Sequence, residues 1–402
     1  MYLSSPDMCV IFFACRAGCP SPIFGKDDKN MNTRITELFG IKYPILQSGM
    51  QWLATPELAA AVSKAGGLGI ISATIFMVDS DPAATKAGLV AGLAKCRELA
   101  DGHPFGLNIS MLPHADYDNN TELFFRTAYE EHVPVIETSG NNPQAYYELL
   151  RGWEKEDGRD NEHDKIKLIH KCPSVRHALS AQKAGADAVT IVGFECAGHP
   201  GLGDVSTMAL IPVAKEKLSI PVVAGGGICN RNTFVSAMAL GADGVIMGTR
   251  FVATEECGIH PNWKQLIIDS TENDTAVLQY KVRNANRVWY GHQDKKNPEN
   301  SRFSKTAAWV KKTEAAWDLD ATHDKPLIAV LMAGDPNDEE VRGISGKNQR
   351  VCYKNGNING CLFPMGLCVG QIHDIKTVQE VFDEVCGGAE SVLEKLRGEF
   401  AD

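Results

Sequence analysis

No Cys-x-x-C pair occurs in this chain. Its 12 cysteines are scattered over 402 residues, and the close pair Cys15 and Cys19 has no second pair to complete a tetrahedral metal site. A resident metal is therefore not expected, and the thiols read as reduced in a cytoplasmic setting. Long apolar runs are also lacking. None approaches the roughly 18 residues needed to cross a bilayer, so no membrane span is expected. Blocks of five or six basic residues are absent as well, and 40 Lys+Arg against 50 Asp+Glu leave a net charge of −10. Nucleic acid and anionic membranes are thus not expected partners, and an anionic ligand must be held by local chemistry. A dinucleotide fingerprint is missing too: Gly67-Leu68-Gly69 stands at the entrance of a strand rather than after one, where it cannot cradle a pyrophosphate. Without a dedicated Rossmann domain, any NAD(P)H used must visit the same site as the second substrate.

What the chain does contain is an ordinary globular mixture, 44% hydrophobic and 22% charged with 37 Gly and 19 Pro, which excludes disorder, collagen and coiled coil. Its first thirty residues differ from the rest. Met8 to Cys15 is apolar, but no basic residue precedes it and the cleavage pattern is poor, so a secretory signal fits badly. Met31 opens a more natural beginning, and residues 1–30 are expected to be a disordered extension without inferred function.

From Tyr43 onward, short Val- and Ile-rich runs alternate with amphipathic stretches. Strands are predicted at Pro44–Ser48, Leu68–Ala73, Phe105–Ser110, Val133–Ser139, Ile166–Lys171, Ala188–Phe194, Pro221–Gly225 and Gly244–Gly248. Helices are predicted between them, among others at Pro56–Ala65, Asp81–Leu99 and Ser174–Ala184; the first has Thr55 as N-cap, Pro56 at its first position and Gly66-Gly67 as its stop. Eight such units match an α/β fold of the (β/α)8 TIM-barrel type, whose strands are buried on both faces. A doubly wound open sheet is the alternative, because periodicity does not register closure. The barrel is assigned to residues 31–260. Residues 261–402 are expected to form a helical and irregular cap that completes the active site, with Ser304–Leu319 and Lys376–Glu399 as its helices. The charged stretch Trp153–Lys165 reads as a solvated surface insertion.

In a (β/α)8 barrel the chemistry lies at the C-terminal ends of the strands. Here those ends read Gln47-Ser48-Gly49-Met50-Gln51, Asn108, His170-Lys171-Cys172, Gly193 to Gly201, Gly225-Gly226-Gly227 and Gly248-Thr249-Arg250. The loops after strands seven and eight form the common phosphate site of such barrels, where a side chain would keep backbone N–H groups from the oxygens. Gly226, Gly227, Gly248 and Thr249 supply that chemistry, although the glycines also fit simple tight turns. His199 stands in a glycine-flanked loop after strand six, where an imidazole can take a proton from a carbon acid or donate to a carbonyl or nitro oxygen. His103, His114, His163 and His260 lie in Pro- or charge-rich loops and are assigned nothing. Lys171 is either a point charge for an anionic ligand or the partner of a carboxylate. Cys196 lacks a partner base and reads as packing.

At these positions the chain resembles the nitronate monooxygenase family, formerly the 2-nitropropane dioxygenases, which also holds FMN-dependent enoyl-acyl-carrier-protein reductases and NADH:quinone reductases. The resemblance rests on Ile45-Leu46-Gln47-Ser48-Gly49-Met50, Ala65-Gly66-Gly67-Leu68-Gly69, Phe105-Gly106-Leu107-Asn108, Ile169-His170-Lys171-Cys172, Glu195-Cys196-Ala197-Gly198-His199-Pro200-Gly201, Ala224-Gly225-Gly226-Gly227 and Met247-Gly248-Thr249-Arg250-Phe251. It implies a non-covalent FMN at the barrel mouth. The phosphate would lie on Gly226, Gly227, Gly248 and Thr249, and the ring along Gly49, Met50 and Gln51. Asn108 and Lys171 would contact its polar edge, Gly198 would adjoin it, and Gly370-Gln371 would close over it. His199 matches the family's active-site histidine, base or anchor for a nitro compound whose anion gives an electron to the flavin before oxygen completes conversion to a carbonyl compound and nitrite. The expected partners are a small-molecule substrate with O2 or a quinone, and a homodimer is compatible with this reading.

Several residues depart from the family pattern. Cys196 to Gly201 resembles the NADH:quinone reductase branch more than other members, Ser48 stands where many relatives have Gly, and Ile228-Cys229-Asn230-Arg231 replaces the usual Asp-Gly. The expected function is FMN-dependent oxidation of alkyl nitronates. NAD(P)H:quinone or enoyl-thioester reduction is the alternative on the same barrel, and a flavin-free enzyme acting on a sugar phosphate, or a non-catalytic binding protein, stands beyond it.

Overall fold

The computed structural model describes residues 31–111, 115–159, 161, 164–292, 301–317 and 325–400. The expectation for residues 1–30 lies outside them. Eight parallel strands run in chain order: β1 (Ile45–Gln47), β2 (Gly69–Ser72), β3 (Phe105–Met111), β4 (Val135–Gly140), β5 (Lys167–Cys172), β6 (Ala188–Val192), β7 (Val222–Gly225) and β8 (Gly244–Met247). From β2 to β8 each pairs with the next, β8 pairs with β1, and the isolated Leu46–Leu68 bridge joins β1 to the residue before β2. The Gln47 N–H donates to the Leu68 carbonyl and the Leu68 N–H to that of Ile45, both at 3.0 Å. The sheet is therefore a nearly closed (β/α)8 barrel, as the alternation predicted, and the open sheet is set aside.

Local chemistry marks where the helices begin. Thr55 accepts from the Leu58 N–H ahead of Pro56–Lys64, Asp81 from the Ala84 N–H ahead of Pro82–Ala100, and Ser174 from the His177 N–H ahead of Val175–Lys183. The N-terminal end of the barrel is filled by the helix Arg34–Phe39. Its Ile35 and Phe39 pack with Leu46, Leu68, Ile70, Val135, Ile169, Ala188, Val223 and Ile246 in an apolar interior. The barrel interior at this end is therefore closed to a polar ligand, and the polar interior side chains lie at the opposite rim.

The segment expected to be a solvated insertion from Trp153 is corrected at its start. Trp153 to Glu156 complete the helix Gln144–Glu156, and Glu154 is fully buried. Its carboxylate accepts from Arg151 at 2.7 Å and from the Ile166 N–H at 2.8 Å. Helical spacing turns Glu154 inward while its charged neighbours stay out, a distinction that charge density alone does not carry. We expect Glu154→Ala to destabilise the fold by about 1–3 kcal/mol, because it strips the half-buried Arg151 guanidinium of one acceptor and leaves the buried Ile166 N–H without one. Urea unfolding checks this, and a loss within about 0.5 kcal/mol of zero would refute it.

Beyond β8 the described residues add two antiparallel pairs that the sequence pattern did not predict: β9 (Thr275–Leu278) with β10 (Asn286–Trp289), and the short strands Gly291–His292 and Arg302–Phe303. The first expected tail helix is observed as Lys305–Ala316, and the second as Val378–Phe382 and Gly388–Phe400 joined by a wider π turn. Trp263 anchors this region. It is fully buried, donates its indole N–H to the Cys352 carbonyl at 3.0 Å and packs 4.6 Å from the Phe363 ring. Trp263→Ala should cost about 3–5 kcal/mol, read as a lowered thermal midpoint.

Candidate active site

Strand alternation sorts the side chains at the C-terminal rim. On β5, Lys171 faces the barrel interior and donates to the Ser48 hydroxyl at 2.8 Å, whereas His170 faces outward to the Thr138 hydroxyl at 2.8 Å. Burial lowers the His170 pKa to about 4, so this imidazole is a neutral packing element. Lys171 also has a carboxylate partner: Glu137 Oε1 lies 3.3 Å away. Glu137 Oε2 accepts from the Asn108 amide at 2.7 Å. The interior layer at the rim is thus polar, with Ser48, Lys171, Glu137 and Asn108 in one chain of contacts. Gly49 lies against it so closely that a Cβ there would fall 2.4 Å from the Asn108 Cβ.

The loops after β7 and β8 face this layer. Gly226 and Gly227 have φ of +93° and +78°, a region where L side chains are strained. Their N–H groups, with those of Gly248 and Thr249, meet no acceptor among the described residues. A Cβ at Gly226 would lie 3.1 Å from the Cys196 nitrogen and the Gly193 oxygen. Unpaired N–H groups with no side chains over them suit an anion. Thr249 is buried, and its hydroxyl accepts from the Gly366 N–H at 3.2 Å. Met50 approaches the same place, its sulfur 3.7 Å from a Cβ built at Gly248. Gln51 lies beside the tail: a Cβ at Gly346 would meet its Nε2 at 2.9 Å.

Strand β10 laces onto the loop after β6. The Arg287 N–H donates to the Gly198 carbonyl, and the Gly198 N–H returns a bond to the Arg287 carbonyl at 3.1 Å. This pairing carries His199 beside Ala285, whose carbonyl lies 3.0 Å from Nδ1. A carbonyl only accepts, so Nδ1 bears the proton and Nε2 keeps its lone pair. The ring is open to solvent, yet protein atoms massed around it lower its pKa, while the Ala285 and Asn284 carbonyls raise it back in part. The net lowering favours the neutral imidazole over the imidazolium. Cys196 in the same loop has its thiol pushed up to about 12 by burial, which leaves no thiolate to act as nucleophile.

The tail reaches the rim at two further points. The Leu367 N–H donates to the Glu195 carbonyl at 3.0 Å, and Gln371 accepts from Asn230 at 2.9 Å. Arg231 turns away, its Cδ 2.5 Å from where a Gly388 Cβ would be. Three residues were not singled out from sequence. Glu137 stands as an acid within the apolar run Val135-Ile136-Glu137, a detectable signal. Glu195 caps the helix Thr207–Lys217 by accepting from the Thr207 N–H and hydroxyl. Arg287 donates to the Phe194 carbonyl and lies 4.2 Å over that ring, a contact across 93 residues that leaves no local trace. A cavity of about 780 Å³ opens at the other end of the barrel, lined by residues that precede strands such as Pro134, Ile166 and Pro221, and contains none of these groups. Among the described residues there is no cluster of three or more potential metal ligands, and no helix is long and apolar enough to cross a membrane.

Known proteins are similar to this chain. The family model for nitronate monooxygenase matches residues 32–354. A probable nitronate monooxygenase of Staphylococcus saprophyticus is 33% identical, with 61% of this chain and 75% of the relative covered. A (3aS,4S,5R,7aS)-5-hydroxy-7a-methyl-1-oxo-octahydro-1H-indene-4-carboxyl-CoA dehydrogenase of Rhodococcus jostii is 28% identical over 91% of this chain and 98% of its own. Among solved structures, FabK from Thermotoga maritima superposes with a TM-score of 0.70 at 30% identity, covering 92% of this chain and all of that one.

Proposed function

The chain belongs to the nitronate monooxygenase family of flavin-dependent oxidoreductases, and from that premise we propose that it binds FMN without a covalent bond and oxidises alkyl nitronates with O2 to a carbonyl compound and nitrite. We read residues 31–260 as the flavin barrel and 261–402 as the cap that completes the site. The observation that carries the proposal is His199, held by the Ala285 carbonyl on the loop after β6, whose Cys196 nitrogen packs against Gly226 of an anion cradle of N–H groups without acceptors among the described residues.

In this reading Gly226, Gly227, Gly248 and Thr249 hold the FMN phosphate. Gly49, Met50, Gln51, Asn108, Lys171, Gly198 and Gln371 surround the remainder. FMN supplies the electron transfer that no side chain here can provide. His199 Nε2 accepts the acidic carbon-bound proton of a nitro compound, or hydrogen-bonds its anion once protonated, while the Nδ1–H bond to Ala285 fixes the ring plane. Because the imidazole works as a base only when neutral, its lowered pKa extends activity toward acid. We expect kcat/KM for a neutral nitroalkane to rise with pH through an apparent pKa below 6.5 and to be level at pH 7 to 8. A limb centred above 7 would contradict that assignment.

A second reading, oxidoreduction of an acyl thioester or quinone with NAD(P)H, is favoured by a specific observation. The carboxyl-CoA dehydrogenase and FabK align with nine-tenths of this chain, whereas the staphylococcal relative aligns with 61%. The decisive experiment is to record the visible spectrum of the purified protein and then add propionate 3-nitronate or NADH without oxygen. Bleaching by the nitronate alone supports nitronate oxidation, bleaching by NADH supports the second reading, and a colourless protein refutes both.

A further inference from the structure

The rim layer contains one group that the proposed reaction does not use. Glu137 is fully buried inside the barrel, on β4, with no solvent to screen its charge. Its two oxygens are committed to different residues. Oε2 accepts from the Asn108 amide at 2.7 Å, and Oε1 lies 3.3 Å from the Lys171 ammonium without a hydrogen bond among the described residues. Lys171 in turn donates to Ser48, and Asn108 lies under Gly49. Asn108 and Lys171 are therefore both oriented from below by one carboxylate. That carboxylate also neutralises the ammonium across a desolvated 3.3 Å gap, where charge is felt most strongly.

We propose that Glu137 is a positioning residue that sets the charge presented to the isoalloxazine, cancelling Lys171 so that the site favours oxidised over reduced flavin more than the lysine alone would allow. The inference rests on the FMN reading above. Its physical content is a coupling: two-electron reduction places negative charge on the flavin, so an uncompensated Lys171 would stabilise the reduced form, and Glu137 withholds that stabilisation. By linkage, whatever shifts the reduction potential must shift the ratio of affinities for the two redox forms by the same factor. The amide of Glu137→Gln keeps the shape and an oxygen for Asn108 while removing the charge.

The test compares affinities of the full chain for oxidised and dithionite-reduced FMN, measured by quenching of protein fluorescence under argon, together with the midpoint potential. For Glu137→Gln the ratio should move about tenfold toward reduced FMN, which for a two-electron couple is about 30 mV upward. Glu137→Asp, which retains the charge, should stay within about twofold of the original ratio, and adding Lys171→Met to Glu137→Gln should reverse the shift. A residue that merely supports the barrel would weaken both redox forms equally and leave the ratio unchanged, and that outcome overturns the inference. If the unaltered chain binds FMN normally and the ratio does not move, this inference alone falls; if the unaltered chain binds no FMN, the cofactor reading falls first and carries this one with it. Should the glutamine variant fail to fold, Lys171→Met alone must move the ratio about tenfold toward oxidised FMN, and no movement refutes the coupling equally well.

Discussion

Replacing His199 by alanine is expected to lower kcat/KM by about 10²–10⁴, the usual worth of a positioned general base, while the flavin content of the purified protein stays unchanged. The two halves of that expectation come from different contacts. The imidazole is held by the Ala285 carbonyl on the tail side of the loop after β6, whereas the anion cradle is built by Gly226, Gly227, Gly248 and Thr249 after β7 and β8. Removing the ring leaves those four N–H groups where they are. Steady-state rates with a nitroalkane, measured beside the ratio of visible to 280 nm absorbance, separate the effects. A variant that keeps its rate within about threefold would move the proton chemistry elsewhere. A variant that loses its colour would give His199 a binding role instead. With a preformed nitronate as substrate the deficit should shrink, because the proton has already left and only the anchoring bond is missing.

The second large effect should come from Gly226→Ala. At φ +93° an alanine is strained by about 1–3 kcal/mol, and its Cβ would press at 3.1 Å on the Cys196 nitrogen and the Gly193 oxygen. Neither neighbour is a flexible side-chain tip. Gly193 has no freedom to yield, since a Cβ on that residue would itself meet the Thr207 nitrogen at 2.2 Å. The loop must shift, and the N–H groups of Gly226 and Gly227 shift with it. We expect FMN to bind about 10–100-fold more weakly, consistent with that strain energy, while circular dichroism of the barrel is retained. Gly227→Ala, at φ +78°, carries a similar backbone strain but should be milder, because its Cβ would meet only the Glu195 side chain, at 3.4 and 3.6 Å. Equal affinities for the two variants and the parent chain would mean that the phosphate lies elsewhere.

Much of this architecture could be read before any coordinates. The eight strands fall within two residues of their predicted ends, because parallel barrel strands are buried on both faces and appear as uninterrupted apolar runs. Helix starts were equally legible at Thr55-Pro56 and Ser174, where the capping side chain is adjacent in sequence to the turn it satisfies. Errors occurred where a residue's partner is remote. Glu154 resembled its solvated neighbours because burial depends on Arg151 and Ile166 meeting it. Strand β10 went unpredicted because its register is supplied by β9 and by Gly198, 89 positions before Arg287. Lys171 left a ligand or a carboxylate open from sequence, and Glu137 supplies the carboxylate only because β4 and β5 lie side by side with both side chains turned inward.

Order along the chain was enough to mark eight βα units, the glycines that follow strands seven and eight, and a histidine in the loop after strand six, since each depends on residue type and on spacing within a few positions. Tertiary structure alone decided that the barrel closes, which nitrogen of His199 carries the proton, which carboxylate balances Lys171, and how residues 285–287 and 366–371 reach the rim. Those facts depend on hydrogen-bond directions and desolvated charges between segments tens to more than a hundred residues apart, and such distances have no period in sequence.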